Sequence, residues 1–162
     1  MNGVNHLDIE NTTLDILDAY GIEKPVVDVS KIAKDKGIEI KEIKMPPTYS
    51  EVAGFYDKKV KTIYLNIEDK PVRKLFTVAH ELGHIFLNHE NYGVLFRIPK
   101  ENTKYSKVES EANSFASSLL MPNFMIYDYL EKYDLTQSDY KKMAEMFGVP
   151  VVAMKNKLDY LK

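Results

Sequence analysis

His80 and His84 are the two residues whose type and spacing best suit chemistry. They frame the run His80-Glu81-Leu82-Gly83-His84, which fits the pattern HExxH. Residues four apart lie on one face of a helix, so both imidazoles can reach one ion. Zinc accepts neutral imidazole nitrogen, and a catalytic zinc site leaves one position open for water. Glu81 directly follows the first histidine, where a carboxylate can accept a proton from that water.

The segment around this pattern is predicted to be an amphipathic helix. At about 100° per residue, its apolar residues form one narrow stripe. The stripe contains Val72, Phe76, Ala79, Gly83 and Phe86. Both histidines fall on the flank of the stripe, and Glu81 lies nearly opposite to it. The alternative is a surface helix with two incidental histidines, but two of the four histidines then stand at ligand spacing without a reason.

A third ligand is predicted on the next helix, at about residues 107–120. Its apolar stripe contains Val108, Ala112, Phe115 and Leu119. Glu111 lies on the margin of the stripe, and Glu109 points further towards the polar side. A carboxylate held against a core is costly unless it is paired or binds a metal. We therefore predict Glu111 as the third ligand, 111 − 84 = 27 residues after His84, with Glu109 as the alternative.

His89 does not fit an extended zinc-protease pattern. The pattern HExxH-x-x-Gly-x-x-His would require glycine at position 87 and histidine at position 90, where the chain has Leu87 and Glu90. His89 stands one position too early. We interpret it as a surface residue or as a support for the ligands, and not as a ligand.

Composition excludes several classes of function. A chain of 162 residues indicates one domain, or one domain with a small appendage. A net charge of −2 gives no general reason to expect nucleic acid or an anionic membrane as a partner. No apolar run approaches the roughly 20 residues that span a bilayer. Cysteine is absent, so disulfides and Cys-ligated zinc are excluded. Without a visible export signal, we expect a cytoplasmic protein.

The two separated motifs, with the segment before them, resemble the ImmA/IrrE family of metallopeptidases. The resemblance rests on residues 76–84, 109–116 and 119–122, and residues 54–56 and 63–66 also match. It implies one zinc per chain, bound by the two HExxH histidines, His80 and His84, and by the glutamate of the Glu-Ala-Asn motif, which maps onto Glu111. The HExxH glutamate, Glu81, would be the catalytic base.

The expected fold is α+β: a mostly helical, zincin-like domain with a small antiparallel sheet packed on the HExxH helix. A β-hairpin is predicted from the β-rich runs at residues 52–56 and 60–67. The extended segment at residues 50–55 is interpreted as a structural sheet edge, with pairing to a substrate strand as the alternative. We predict a metallopeptidase core over residues 1–122 and a C-terminal helical segment over residues 123–162.

The C-terminal segment also resembles a helix-turn-helix, with Gly148 at the turn. A DNA reader needs a basic recognition face. Residues 134–162 contain five lysines, four acidic residues and no arginine. This balance of charge favours two helices that pack on the metallopeptidase core, and it argues against direct DNA binding.

The predicted activity is that of a zinc-dependent endopeptidase. The resemblance implies a helix-turn-helix transcriptional repressor as substrate, cleaved to relieve repression as in phages and mobile elements. Oxyanion stabilisation would come from Tyr92, Arg97, Tyr105 or His89, between which the sequence does not choose. One alternative is a non-catalytic, zinc-stabilised regulator that binds a repressor or DNA through the C-terminal helices. Another is a small-molecule amidohydrolase with the same metal chemistry.

Overall fold

The computed structural model describes residues 5–89 and 103–162, without the side chains of residues 103–106. The helices are α1 (His6–Ala19), α2 (Val29–Asp35), α3 (Pro71–Phe86), α4 (Thr103–Leu120), α5 (Asn123–Lys132), α6 (Tyr140–Phe147) and α7 (Val151–Tyr160). The strands are β1 (Glu39–Ile43), β2 (Gly54–Asp57) and β3 (Thr62–Asn66). Among the helices of these residues, none has the length and apolarity that crossing a membrane requires.

The three strands form one sheet in the order β1-β3-β2. β2 and β3 are the predicted antiparallel hairpin, in which Gly54 pairs with Leu65. β1 lies on the other side of β3 and runs parallel to it, with Glu39 opposite Thr62. The mostly helical α+β class is confirmed, and the sheet is mixed rather than wholly antiparallel, because β1 joins it across a longer connection instead of a hairpin turn.

The closest helix pairing joins α3 to α4. Pro71 begins α3, a position where its missing N–H leaves no helical hydrogen bond unmade. Gly83 faces α4, and a Cβ atom there would lie 3.0 Å from the Phe115 Cβ and 3.1 Å from the Ala112 Cα. Glycine therefore lets the two backbones approach, which brings the side chains of α4 within reach of the histidines on α3.

The last three helices contribute to the same hydrophobic core as the first four. Buried residues of α5–α7 in that core are Met125, Ile126, Met143, Ala144, Phe147, Met154 and Leu158. α6 starts at Tyr140, after a turn in which the Asp139 carboxylate accepts hydrogen bonds from the backbone N–H and the hydroxyl of Thr136. Gly148 ends α6 with a positive φ of 66°. The division of the chain at residue 122 stays a prediction.

Candidate metal centre

Three side chains from α3 and α4 converge on one point. The Nε2 atoms of His80 and His84 lie 3.1 Å apart. Glu109 places one carboxylate oxygen 3.1 Å from the His80 Nε2 and the other 3.0 Å from the His84 Nε2. Among the residues that the structure describes, these three form the group of metal-ligand type whose donor atoms all lie within 4.8 Å of one another.

The chemistry and spacing of this triad fit a divalent metal. Donors at about 2.0–2.2 Å from a tetrahedral zinc ion lie roughly 3.3 Å from each other. The two Nε2 atoms are separated by 3.1 Å, close to that value, and each of them has one oxygen of the Glu109 carboxylate at 3.0–3.1 Å. Two imidazoles and one carboxylate also form a known catalytic zinc set, which leaves a further position for water.

Asn113 orients the first histidine. Its side-chain oxygen lies 2.8 Å from the His80 Nδ1. An amide oxygen only accepts hydrogen bonds, so the His80 Nδ1 must donate. The neutral ring then presents the lone pair of Nε2 to the centre of the triad, which is the form that a metal binds.

A chain of two hydrogen bonds orients the second histidine. The His89 Nε2 donates to the Glu111 carboxylate at 2.8 Å. Burial lowers the pKa of His89, and the neighbouring carboxylates oppose that shift only in part. Neutral His89 therefore offers a lone pair at Nδ1, which accepts the Nδ1–H of His84 at 3.0 Å. His84, like His80, is left with the Nε2 lone pair directed at the triad.

Glu111, the predicted third ligand, lies beside His89 rather than beside His80 and His84. Its carboxylate contacts His89, with the Lys107 ammonium 3.8 Å away, while Glu109 faces His80 and His84. Positions two apart on a helix are turned by roughly 200°, so the two glutamates cannot share one target on α3. The structure thus brings Glu109, the alternative ligand, to the two histidines and Glu111 to His89, and the choice of the third ligand stays a prediction.

Glu109 is ionised in this environment. Burial raises the pKa of its carboxyl, but the adjacent His80 and His84 rings lower that pKa by more, so it lies below its ordinary value. A carboxylate that stays charged while partly buried is suited to bind a cation.

Glu81 lies next to His80 on α3 and is buried, with 6% of its surface exposed. Of the residues predicted to stabilise an oxyanion, Tyr92, Arg97 and the side chain of Tyr105 lie outside the described part of the chain. Both ring nitrogens of His89 are engaged, one by His84 and the other by Glu111. His89 is thus committed to supporting His84 rather than to contacting an oxyanion.

Comparison with known families gives one match over most of the chain. The family described as Peptidase_M78, IrrE N-terminal-like domain, matches residues 33–159. That range includes the triad, Glu81 and all the residues that orient the histidines.

Three curated relatives align with parts of the chain. An uncharacterized immunity region protein 2 of Bacillus phage phi105 is 38% identical over 63% of this chain and 63% of its own length. The radiation response metalloprotease IrrE of Deinococcus radiodurans is 30% identical over 75% of this chain and 37% of its own. The metallopeptidase ImmA of Bacillus subtilis is 27% identical over 65% and 61%. The chain thus spans less than two thirds of each relative.

A solved structure shares the fold. A transcriptional regulator of Mycobacterium tuberculosis superposes on 91% of this chain and 44% of its own, with a TM-score of 0.70. The two sequences are 17% identical, so this likeness concerns the fold alone.

Proposed function

We propose, from the premise that this chain belongs to the family of IrrE N-terminal-like peptidase domains, that it is a zinc-dependent endopeptidase. The observation that carries the proposal is the convergence of His80, His84 and Glu109 within 4.8 Å. Structural zinc sites normally have four protein ligands, whereas catalytic sites have three. A three-donor cluster beside a buried glutamate supports the catalytic function over a zinc-stabilised scaffold.

The metal would be held by the Nε2 atoms of His80 and His84 and by the Glu109 carboxylate. When bound, it would polarise the scissile carbonyl and bring the pKa of water down to roughly 7. Glu109 replaces Glu111 in this assignment because its oxygens lie 3.0–3.1 Å from both imidazoles. Zinc is proposed because imidazole and carboxylate donors in a compact set suit it.

Glu81 would be the general base. Its place in the sequence directly after His80 puts its carboxylate on the helix that carries both imidazoles. It would accept a proton from the attacking water and then deliver that proton to the departing amine.

Asn113, His89 and Glu111 would keep the two imidazoles in the metal-binding tautomer. Ligand histidines usually donate their second nitrogen to a fixed acceptor, which raises their basicity and fixes the ring. His80 donates to Asn113, and His84 donates to His89, which is itself held by Glu111. The motif Glu109-Ser110-Glu111-Ala112-Asn113 would thus supply one ligand and two supports.

The substrate that we propose is a helix-turn-helix transcriptional repressor in the cytoplasm, cleaved to relieve repression. Two aligned relatives are named as metallopeptidases, and a third belongs to a phage immunity region. A protease that switches off a repressor is consistent with those names. Direct DNA binding by this chain is not part of the proposal.

The test is a search for new protein N-termini in a bacterial lysate. Protein stripped of metal by a chelator is compared with the same protein after addition of one equivalent of zinc, and new N-termini are identified by mass spectrometry. We expect cleavage of very few proteins, a helix-turn-helix repressor among them, by the zinc-loaded sample alone. Cleavage that persists in the stripped sample, or none in either sample while zinc is tightly bound, would contradict the proposal.

A further inference from the structure

A large cleft opens beside the candidate metal centre, between α4 and the C-terminal helix α7. Its volume is about 980 Å³, and α1 and α3 complete its walls. Ligand sites commonly have roughly 300–1,000 Å³, so this cleft is at the upper end of that range. Glu109 and Asn113 belong to its lining, whereas His80 and His84 do not, so the cleft borders the triad at Glu109.

The floor and the rim of the cleft differ in character. Along α4 the floor is made of small polar side chains: Ser110, Ser114, Ser117 and Ser118. On α7 the rim includes two exposed apolar side chains, Val152 with 65% and Tyr160 with 76% of its surface accessible. Such a combination can serve an extended polypeptide, whose backbone forms hydrogen bonds while its side chains make apolar contacts.

Lys157 brings a positive charge into this cleft from α7. Among the described residues, no carboxylate lies within 4.0 Å of its ammonium. Glu10 is the nearby anion that acts on Lys157, but one of its oxygens accepts a hydrogen bond from the Asn123 amide at 3.1 Å. Burial lowers the pKa of Lys157, and the charge of Glu10 opposes that shift. A partly desolvated ammonium without an ion pair is poised to gain a partner of opposite charge.

We propose that this cleft is a substrate-binding site that takes a polypeptide segment whose carboxylate is bound by the Lys157 ammonium. The carboxylate belongs to an aspartate or glutamate side chain, or to the free C-terminus of the substrate. The inference rests on the proposed peptidase function and extends it, since it names the chemistry by which one substrate segment is recognised. α7, the second helix of the helix-turn-helix-like pair, then reads a protein segment and not DNA.

The position of the cleft favours this occupant over nucleic acid. Glu10 and Glu109 both belong to the lining, and their negative charge opposes a run of phosphates more strongly than it opposes one carboxylate beside Lys157. Arg73 and Lys157 both belong to the lining, and Arg73 is paired with Asp69 at 3.4 Å. Lys157 therefore offers one localised charge to a ligand, which suits a single carboxylate better than a run of phosphates. Val152 and Tyr160 add apolar area beside it, as in sites that bind peptides.

The test measures peptide binding by NMR, on Glu81→Gln protein as purified, so that hydrolysis does not interfere. Three matched pentapeptides are titrated. The first is acetyl-Ala-Leu-Glu-Leu-Ala-amide, the second has Gln in place of Glu, and the third has Gln and a free C-terminus. We expect the Glu peptide, the free-terminus peptide or both to shift the amide signals of Ser117 and Asn156. Each such peptide should bind roughly tenfold or more tightly than the amidated Gln peptide.

The matched variants are Lys157→Met and Lys155→Met, each made in the Glu81→Gln protein. Lys155 lies on the same helix, outside the lining of the cleft, and is paired with Asp159 at 2.8 Å. Lys157→Met should abolish the preference for a carboxylate, and Lys155→Met should retain it. Equal binding of all three peptides, no binding of any, or a preference that survives Lys157→Met would overturn the inference.

The three peptides also separate the two sources of the carboxylate. Binding of the Glu peptide alone assigns a side chain, and binding of the free-terminus peptide alone assigns a chain end. Zinc-dependent cleavage without any carboxylate preference would leave the proposed function standing and remove this inference. A carboxylate preference that depends on Lys157, in a protein without peptidase activity, would instead overturn the proposed function and keep the cleft as a peptide-binding site.

Discussion

The two sides of α4 are built in opposite ways. Towards α3 the backbones approach until a Cβ on Gly83 would meet the Phe115 Cβ at 3.0 Å. Towards α7 the same helix presents serines to a cleft of about 980 Å³. Glu109 stands at the boundary and belongs to both sides, as a member of the triad and of the lining.

The packed side of α4 is suited to position metal ligands, and the open side is suited to bind a substrate. A metal centre needs its donors fixed within a few tenths of an ångström, which close packing and hydrogen-bonded supports provide. A substrate needs space and groups with unused binding capacity, which the open side provides. Under the proposed function, α4 would hold the metal centre on one side and contact the substrate on the other.

The largest effect on the cleavage rate is expected from replacing Glu81, the proposed general base on α3. Glu81→Gln should reduce the cleavage rate by about 10³-fold or more, because the amide cannot accept the proton of the attacking water. Zinc content should stay unchanged, since Glu81 is not a ligand. Rates with the cleaved substrate are compared with those of Glu51→Gln, an exposed glutamate. A rate for Glu81→Gln within a few fold of that control would remove Glu81 from this role.

Removal of a support should have the next largest effect. His89→Ala should weaken zinc binding about 10–100-fold, because His84 loses the acceptor that fixes its tautomer. Competition with a chromophoric chelator measures the affinity. His6→Ala is the control, since His6 is exposed and contacts Ser114 instead of the triad. Equal affinities of the two variants would mean that the His89–Glu111 pair does not act on the metal site.

Packing can be compared directly across the two sides. Gly83→Ala should cost about 1 kcal/mol of unfolding free energy, because overpacking against Phe115 and Ala112 exceeds the gain in helix propensity. Ser117→Leu, a larger change on the open side, should cost less than about 0.5 kcal/mol. Urea denaturation followed by circular dichroism gives both values. A greater cost for Ser117→Leu would contradict the contrast between the two sides.

The smallest effect is expected on the free energy of unfolding, from the positive charge of Lys157 in the cleft. Burial lowers the pKa of Lys157, so between the folded pKa and the unfolded value of about 10.4 the unfolded chain binds more protons. Stability due to Lys157 therefore rises with pH across that window and is lowest below it. Lys157→Met should be about 0.5–1 kcal/mol more stable than the parent at neutral pH, and the gap should narrow as pH rises.

Thermal denaturation at several pH values measures this gap. Lys155→Met is the control, because the hydrogen bond with Asp159 raises the pKa of Lys155. That variant should gain no stability at neutral pH. A Lys157→Met protein that is less stable than the parent at neutral pH would contradict this prediction. It would show that interactions within the folded protein stabilise the Lys157 ammonium.

Local sequence signals were sufficient for half of the site and for much of the fold. The spacing of His80 and His84 places them on one helical face whatever lies around them, and the hairpin before α3 follows from two β-rich runs. The parallel pairing of β1 with β3 has no local signal in the sequence. The two strands are not consecutive in the chain, because β2 lies between them in sequence.

The choice between Glu109 and Glu111 depends on how α4 is rotated about its axis, which long-range packing decides. The apolar stripe of α4 predicted only which residues are buried, not which margin of the stripe faces α3. Asn113 carried a usable signal: it lies four residues after Glu109, on the same face, and it contacts His80. Lys157 could not be found this way, being 157 − 109 = 48 residues from Glu109 in the sequence.

The most direct test of the account is the zinc content of Glu109→Ala and Glu111→Ala beside the parent protein, with circular dichroism to verify folding. We predict about one zinc per chain in the parent, loss of zinc from Glu109→Ala, and retention by Glu111→Ala with affinity weakened about 10–100-fold. Zinc retained by Glu109→Ala and lost from Glu111→Ala, or no tightly bound zinc in the parent, would contradict the metal centre described above.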